Sequence, residues 1–158
     1  MLDSKDAQEI LSVLPKEASS GSKVRISIKN NRIKIEVNSH SSSTTFPVSI
    51  DPNTRVLSVR TPSGNVIIRT LPDKADFRLI SLNKLDTVAD STLEVNGSNK
   101  VDEDKVVYKI NGYKNVKFVG LIPISAKVEL KVGVSSGAIL SETKPWYLNV
   151  FGFLFVQS

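Results

Sequence analysis

Between Lys23 and Val37 the apolar residues fall on every second position: Val24, Ile26 and Ile28, then, after Asn30-Asn31, Ile33, Ile35 and Val37. A period of two puts these side chains on one face of an extended chain. Paired Asn residues tolerate the positive φ angles of a tight turn, so the segment is predicted to be a β-hairpin with one apolar face. That face must be covered, so a sheet with a core on one side is the starting point for everything else.

The same pattern recurs downstream. Val48 and Ile50, Val56 to Val59, and Val66 to Ile68 are separated by the turn residues Asp51-Pro52-Asn53-Thr54 and Thr61-Pro62-Ser63-Gly64. Residues 23 to 70 therefore read as a five-stranded antiparallel meander, with 38 to 45 as a flexible polar loop. A helix is predicted next, over about 72 to 85. Pro72 suits its first turn, Asp73 and Asp76 favour its positive end, and Ala75, Leu79, Leu82 and Leu85 recur at helical spacing. A short N-terminal helix is expected as well, capped by Asp3 or Ser4, with Ile10, Leu11 and Leu14 on one face and Pro15 stopping it.

Beyond Ser91, strands are expected near 91–95, 105–110, 115–120, 126–133 and 138–142. Their turns fall at Asn96-Gly97, Asn111-Gly112 and Ser135-Ser136-Gly137. The segment Ser63-Gly64 to Leu71-Pro72 aligns with Ser136-Gly137 to Lys144-Pro145, which suggests duplicated hairpin units at about 54–72 and 127–145. The expected fold class is α+β: mainly antiparallel sheet with a short N-terminal helix and one central helix, in a single domain over residues 1–158.

A chain of 158 residues can bury one sizeable core, and 40% hydrophobic with 23% charged residues argues against disorder. The absence of cysteine removes disulfides, thiolate catalysis and cysteine-rich zinc sites. No apolar run reaches the roughly 18 residues a spanning helix needs. The opening Met1-Leu2-Asp3-Ser4-Lys5-Asp6 lacks the basic start and apolar stretch of a secretory leader.

Two surfaces carry the functional expectations. Lys23, Arg25 and Lys29 alternate with the apolar residues, and Arg32 and Lys34 face the same way across the hairpin. Only Glu36 opposes these five cations, which makes them a candidate anion-binding face. No aromatic lies between residues 22 and 45 to stack on bases, so no specific nucleic acid is predicted. The second surface is the C-terminal stretch. Trp146, Tyr147, Phe151, Phe153 and Phe155 are five of the ten aromatics. They are expected to close the core or to form a packing or partner surface, with interfacial membrane contact as a further alternative.

Catalysis and metals find little support. His40, the single histidine, stands among Ser39, Ser41, Ser42 and Ser43. A serine nucleophile needs a base held by a third group, and a polar loop supplies no such rigidity. Asp102-Glu103-Asp104 lacks the alternating spacing of a calcium loop, and Glu36, Asp51, Glu129 and Glu142 read as turn or strand-surface residues. No metal and no cofactor are predicted.

Val128 to Leu140, a strand, a turn with Gly133 and Gly137, and a strand, resembles the pattern of PepSY-like extracytoplasmic domains. Pro62-Ser63-Gly64, Leu71-Pro72-Asp73-Lys74-Ala75, Gly120-Leu121-Ile122-Pro123-Ile124 and Lys144-Pro145-Trp146 resemble uncharacterised secreted or membrane-anchored proteins of candidate-phylum bacteria. The resemblance transfers no catalytic residue. It implies an extracytoplasmic or membrane-tethered location, which requires a leader since removed; a cytoplasmic location is the alternative. The expected role is a non-catalytic binding or scaffolding module of a bacterial envelope, its partner an envelope protein or an anionic polymer. The alternatives are a polyanion-binding protein using the basic hairpin and, last, a hydrolase built on His40.

Overall fold

The computed structural model describes residues 9–13, 23–51, 53–101 and 103–157. Four strands come first: β1 (Glu9–Val13), β2 (Val24–Lys29), β3 (Arg32–Val37) and β4 (His40–Thr44). Three short ones follow, β5 (Val48–Ile50), β6 (Leu57–Thr61) and β7 (Gly64–Ile67), then helix α1 (Pro72–Ser81). The second half holds β8 (Thr87–Val95), β9 (Val106–Phe118), β10 (Ile122–Gly133) and β11 (Ile139–Thr143). It ends in a single-turn helix α2 (Trp146–Val150), a 3-10 turn at Gly152–Leu154 and β12 (Phe155–Gln157).

The large sheet runs β1-β2-β3-β4-β8-β9-β10-β11, and β12 pairs with β9 off that path; β5-β6-β7 form a separate three-stranded sheet. The large sheet is mixed, because β4 meets β8 in parallel. Strand accounts for 53% and helix for 14%, which corrects the α+β expectation: the protein is mostly β, and its helices among the described residues are one of ten residues and one of five.

The predicted N-terminal helix is also corrected. Residues 9–13 form strand β1, antiparallel to β2 from Glu9↔Ser27 to Val13↔Val24. A helix of a few residues is marginal in water, whereas the open edge of β2 offers a ready row of main-chain partners. The proposed caps, Asp3 and Ser4, lie outside the described residues.

The hairpin at 23–37 forms as expected, with Asn30 and Asn31 at φ 51° and 59° and register pairs from Val24↔Val37 to Lys29↔Arg32. The loop expected after it is instead β4. Asn38 and Ser39 repeat the same turn at φ 49° and 71°, and Ser42 and Thr44 turn inward as buried polar residues. The five expected strands of the meander therefore do not share one sheet. After β4 the chain leaves for the small sheet, whose Leu57 and Val59 are fully buried in one cluster with Val24, Ile35 and Val37.

Helix α1 starts at Pro72 as predicted but ends four residues early, since Asn83 at φ 57° turns the chain. Ala75 and Leu79 still reach the core. The turn expected at Asn111-Gly112 is absent, because both residues lie inside β9, which pairs with β10 over twelve positions from Phe118↔Ile122 to Val107↔Gly133. A Cβ on Gly112 would stand 2.3 Å from the Thr87 carbonyl oxygen and 2.8 Å from Leu85 Cδ1. The glycine permits close approach there, not a reversal of the chain.

The two segments read as duplicated hairpins lie in different sheets but touch. Arg69 and Thr70 donate their amides to the Val134 carbonyl at 3.0 and 2.8 Å, and Ser135 Oγ donates to the Ile67 carbonyl. The outer face of the large sheet is polar, with Lys131 on Glu94 at 3.3 Å and Lys109 on Glu129 at 3.4 Å.

Candidate binding cleft

Strands β4 and β8 share a single register pair, Ser43 with Thr92. Beside it, Ser91 Oγ donates to Ser42 Oγ at 3.1 Å. Toward the start of both strands the backbones part, leaving a cleft of about 690 Å³ whose lining includes Asp76 and Ile80 of α1. One wall carries Lys29, Arg32, Lys34, Ser41 and Ser43; the other carries Asp86 to Ser91.

Lys29 and Arg32, opposed across the first hairpin turn, are exposed and enter no ion pair among the described residues. Lys34 Nζ donates to Glu36 at 2.8 Å. That bond, with the charge of Lys34 and then Arg25 opposing partial burial, holds the Glu36 carboxyl below its usual range. The opposite wall's carboxylates are already engaged. Asp86 accepts the Asn115 amide at 2.6 Å and lies 3.8 Å from Lys114, and Asp90 accepts Asn111 Nδ2 at 2.7 Å. The expected face is thus divided: Lys29, Arg32 and Lys34 reach the cleft, while Arg25 pairs in register with Glu36 toward the other end of β2 and Lys23 precedes that strand.

His40 lines the cleft from the first position of β4, and its Nδ1 is hydrogen-bonded to Asp76 Oδ2 at 2.8 Å. The Asp76 side chain is 3% exposed, and its other oxygen, Oδ1, has no hydrogen-bond partner among the described residues. Burial raises the Asp76 carboxyl above its usual range, opposed by the hydrogen bond and charge of His40. The histidine placed in a flexible loop by its sequence is therefore held on a strand by a buried carboxylate. The signal that could have found β4 is Asn38-Ser39, a turn pair like Asn30-Asn31 placed after six strand residues.

The acidic run considered for calcium is otherwise occupied. Asp104 Oδ2 accepts the Ser136 amide and hydroxyl at 2.9 and 2.6 Å, Glu103 pairs with Lys100 at 3.0 Å, and Asp102 lies outside the described residues.

The C-terminal aromatics do not close the core. No residue of α2 or the 3-10 turn is buried. Strand β12 takes the edge of β9 beyond the end of β8, pairing Phe155 with Phe118, whose rings lie 5.3 Å apart. Tyr147 packs on Phe155 at 6.0 Å, and Trp146 on Tyr147 and Phe151 at 6.2 and 6.4 Å. The tail is thus a bracket on the tip of the β9–β10 hairpin.

Among the described residues no helix is long and apolar enough to cross a membrane. Comparison with known proteins finds no matching family, no matching curated protein and no matching solved structure.

Proposed function

We propose that the protein is a non-catalytic binding module, facing the bacterial envelope from outside the cytoplasm, that holds an anionic ligand in the β4–β8 cleft. The observation that carries this reading is the asymmetry of the cleft. Lys29 and Arg32 stand exposed without an ion pair among the described residues, while Asp86 and Asp90 opposite already accept hydrogen bonds. An anion entering there meets cations that need not break an existing pair, with Ser41 and Ser43 as neutral donors beside them. The envelope location rests on the PepSY-like pattern of Val128 to Leu140, residues that form the end of β10, its turn and the start of β11.

Titration with inorganic polyphosphate tests this proposal. Binding should weaken as salt rises, and Lys29→Glu or Arg32→Glu should each lower the slope of log affinity against log salt by about 0.7–0.9. Salt-insensitive binding, or full binding by the double variant, refutes it.

A hydrolytic reading has one observation in its favour, the Asp76–His40 hydrogen bond, which is the base-and-orienter half of a triad. Against it, Ser42 is bonded to Ser91, and His40 has no hydroxyl partner among the described residues. Hydrolysis of an activated ester that vanishes in His40→Ala would favour it over the binding module.

A further inference from the structure

The tip of the β9–β10 hairpin and the C-terminal bracket expose apolar side chains to an unusual degree: Leu121 82%, Phe153 80%, Trp146 69%, and Val119, Ile122 and Val156 each above half. The arrangement is built. Val119, a β-branched residue at φ 51°, donates its amide to the Leu154 carbonyl at 2.6 Å, which ties the hairpin turn to the tail.

Charge says what such a tip faces. Residues 113–128 and 143–157 contain no Asp or Glu, and Lys117, Lys127 and Lys144 are exposed among them. Lys117 lies at the tip itself, in register with Pro123 and Val156, and Lys144 next to α2 pairs with Glu142 at 2.9 Å. Apolar side chains left exposed at a hairpin end suit an apolar medium, and Trp and Tyr beside them favour the boundary between lipid and water. Lysines in the same segment favour anionic head groups.

From this we infer that the tip is a peripheral docking site for an anionic phospholipid bilayer, entered by Leu121 and Phe153 with Trp146 at head-group depth. The site is separate from the cleft and does not depend on the ligand proposed for it.

Trp146 is the single tryptophan, so its emission reports on this surface alone. The experiment mixes the full chain with vesicles of roughly one part phosphatidylglycerol to two parts phosphatidylcholine, following Trp146 emission and co-sedimentation. Emission should move to shorter wavelength and the protein should pellet. Leu121→Ser and Phe153→Ser, at positions that hold no core, should each weaken partitioning about ten-fold with melting unchanged, and Lys117→Glu should weaken it most at low salt. Complete loss of pelleting in Lys29→Gln with Arg32→Gln, which leaves the tip intact, would place the lipid contact in the cleft and overturn the inference. The inference is overturned if the parent ignores these vesicles, if both serine variants bind equally well, or if neutral phosphatidylcholine vesicles serve as well. It is also overturned if the Trp146 shift arises without vesicles, through concentration-dependent self-association seen by light scattering.

Discussion

His40 and Asp76 stand 36 positions apart in sequence and 2.8 Å apart in space, pinning the first residue of β4 to helix α1 at the mouth of the cleft. The carboxylate is almost fully buried and the imidazole half exposed, so the pair couples the cleft surface to the core. Removing the imidazole strands a buried carboxylate whose other oxygen has no partner among the described residues. His40→Ala should therefore cost about 1–3 kcal/mol at neutral pH, and His40→Ala with Asp76→Asn should cost less than His40→Ala alone. Chemical denaturation of the three variants measures this; additive losses would contradict it.

Two carboxyls should give the stability profile opposite slopes. Asp76 is raised by burial despite His40, so the folded chain holds its proton more tightly than the unfolded chain does. Its contribution is complete below the ordinary aspartate value near 3.8 and is lost as pH rises through the folded value. Glu142 is also pushed up by burial, but hydrogen bonds from Lys84 and Lys144 outweigh this and leave it lowered. Its contribution is present above the ordinary value near 4.5 and is lost as pH falls through the folded value. Relative to the parent, Asp76→Asn should gain stability as pH rises from 3.8, and Glu142→Gln should lose it as pH rises toward 4.5, both read from denaturation midpoints in acid.

Gly112→Ala should destabilise the centre of the large sheet. The added methyl would meet Thr87 backbone and the Leu85 side chain, and only the latter can move. A loss of about 2 kcal/mol or more is expected, with faster hydrogen exchange in β8 near Thr87. Ordinary stability in this variant would mean that β8 can shift without cost.

Ser39→Gly should do the reverse. Ser39 sits at φ 71°, which costs a residue with a Cβ about 1–2 kcal/mol, whereas glycine adopts it freely at some cost in chain entropy. A net gain of about 0.5–1 kcal/mol in thermal or chemical unfolding is expected.

Residues that act locally were the legible ones. Asn30-Asn31 between two alternating apolar runs announced its hairpin, and Pro72 with Asp73 announced the start of α1. Strand β4 stayed hidden because Ser42 and Thr44 face inward without being apolar, so its alternation leaves no mark in hydropathy. Asn111-Gly112 has the composition of a turn but serves the passage of Thr87 and Leu85, which no local pattern records. The cleft was the least accessible feature. It depends on β4 lying beside β8, and Ser42 meets Ser91 across 49 positions. The basic hairpin was readable as a face, but which of its cations border a cavity was set by that distant pairing.

The junction of β4 and β8 has a mechanical meaning. Elsewhere in the large sheet a ladder of amides locks each strand to the next; here one rung does so, and the two leaves are otherwise bound along a spine of side chains. An occupant of the cleft would therefore sit where the main chain joins the two leaves least, with the hydrophobic cluster they share behind it.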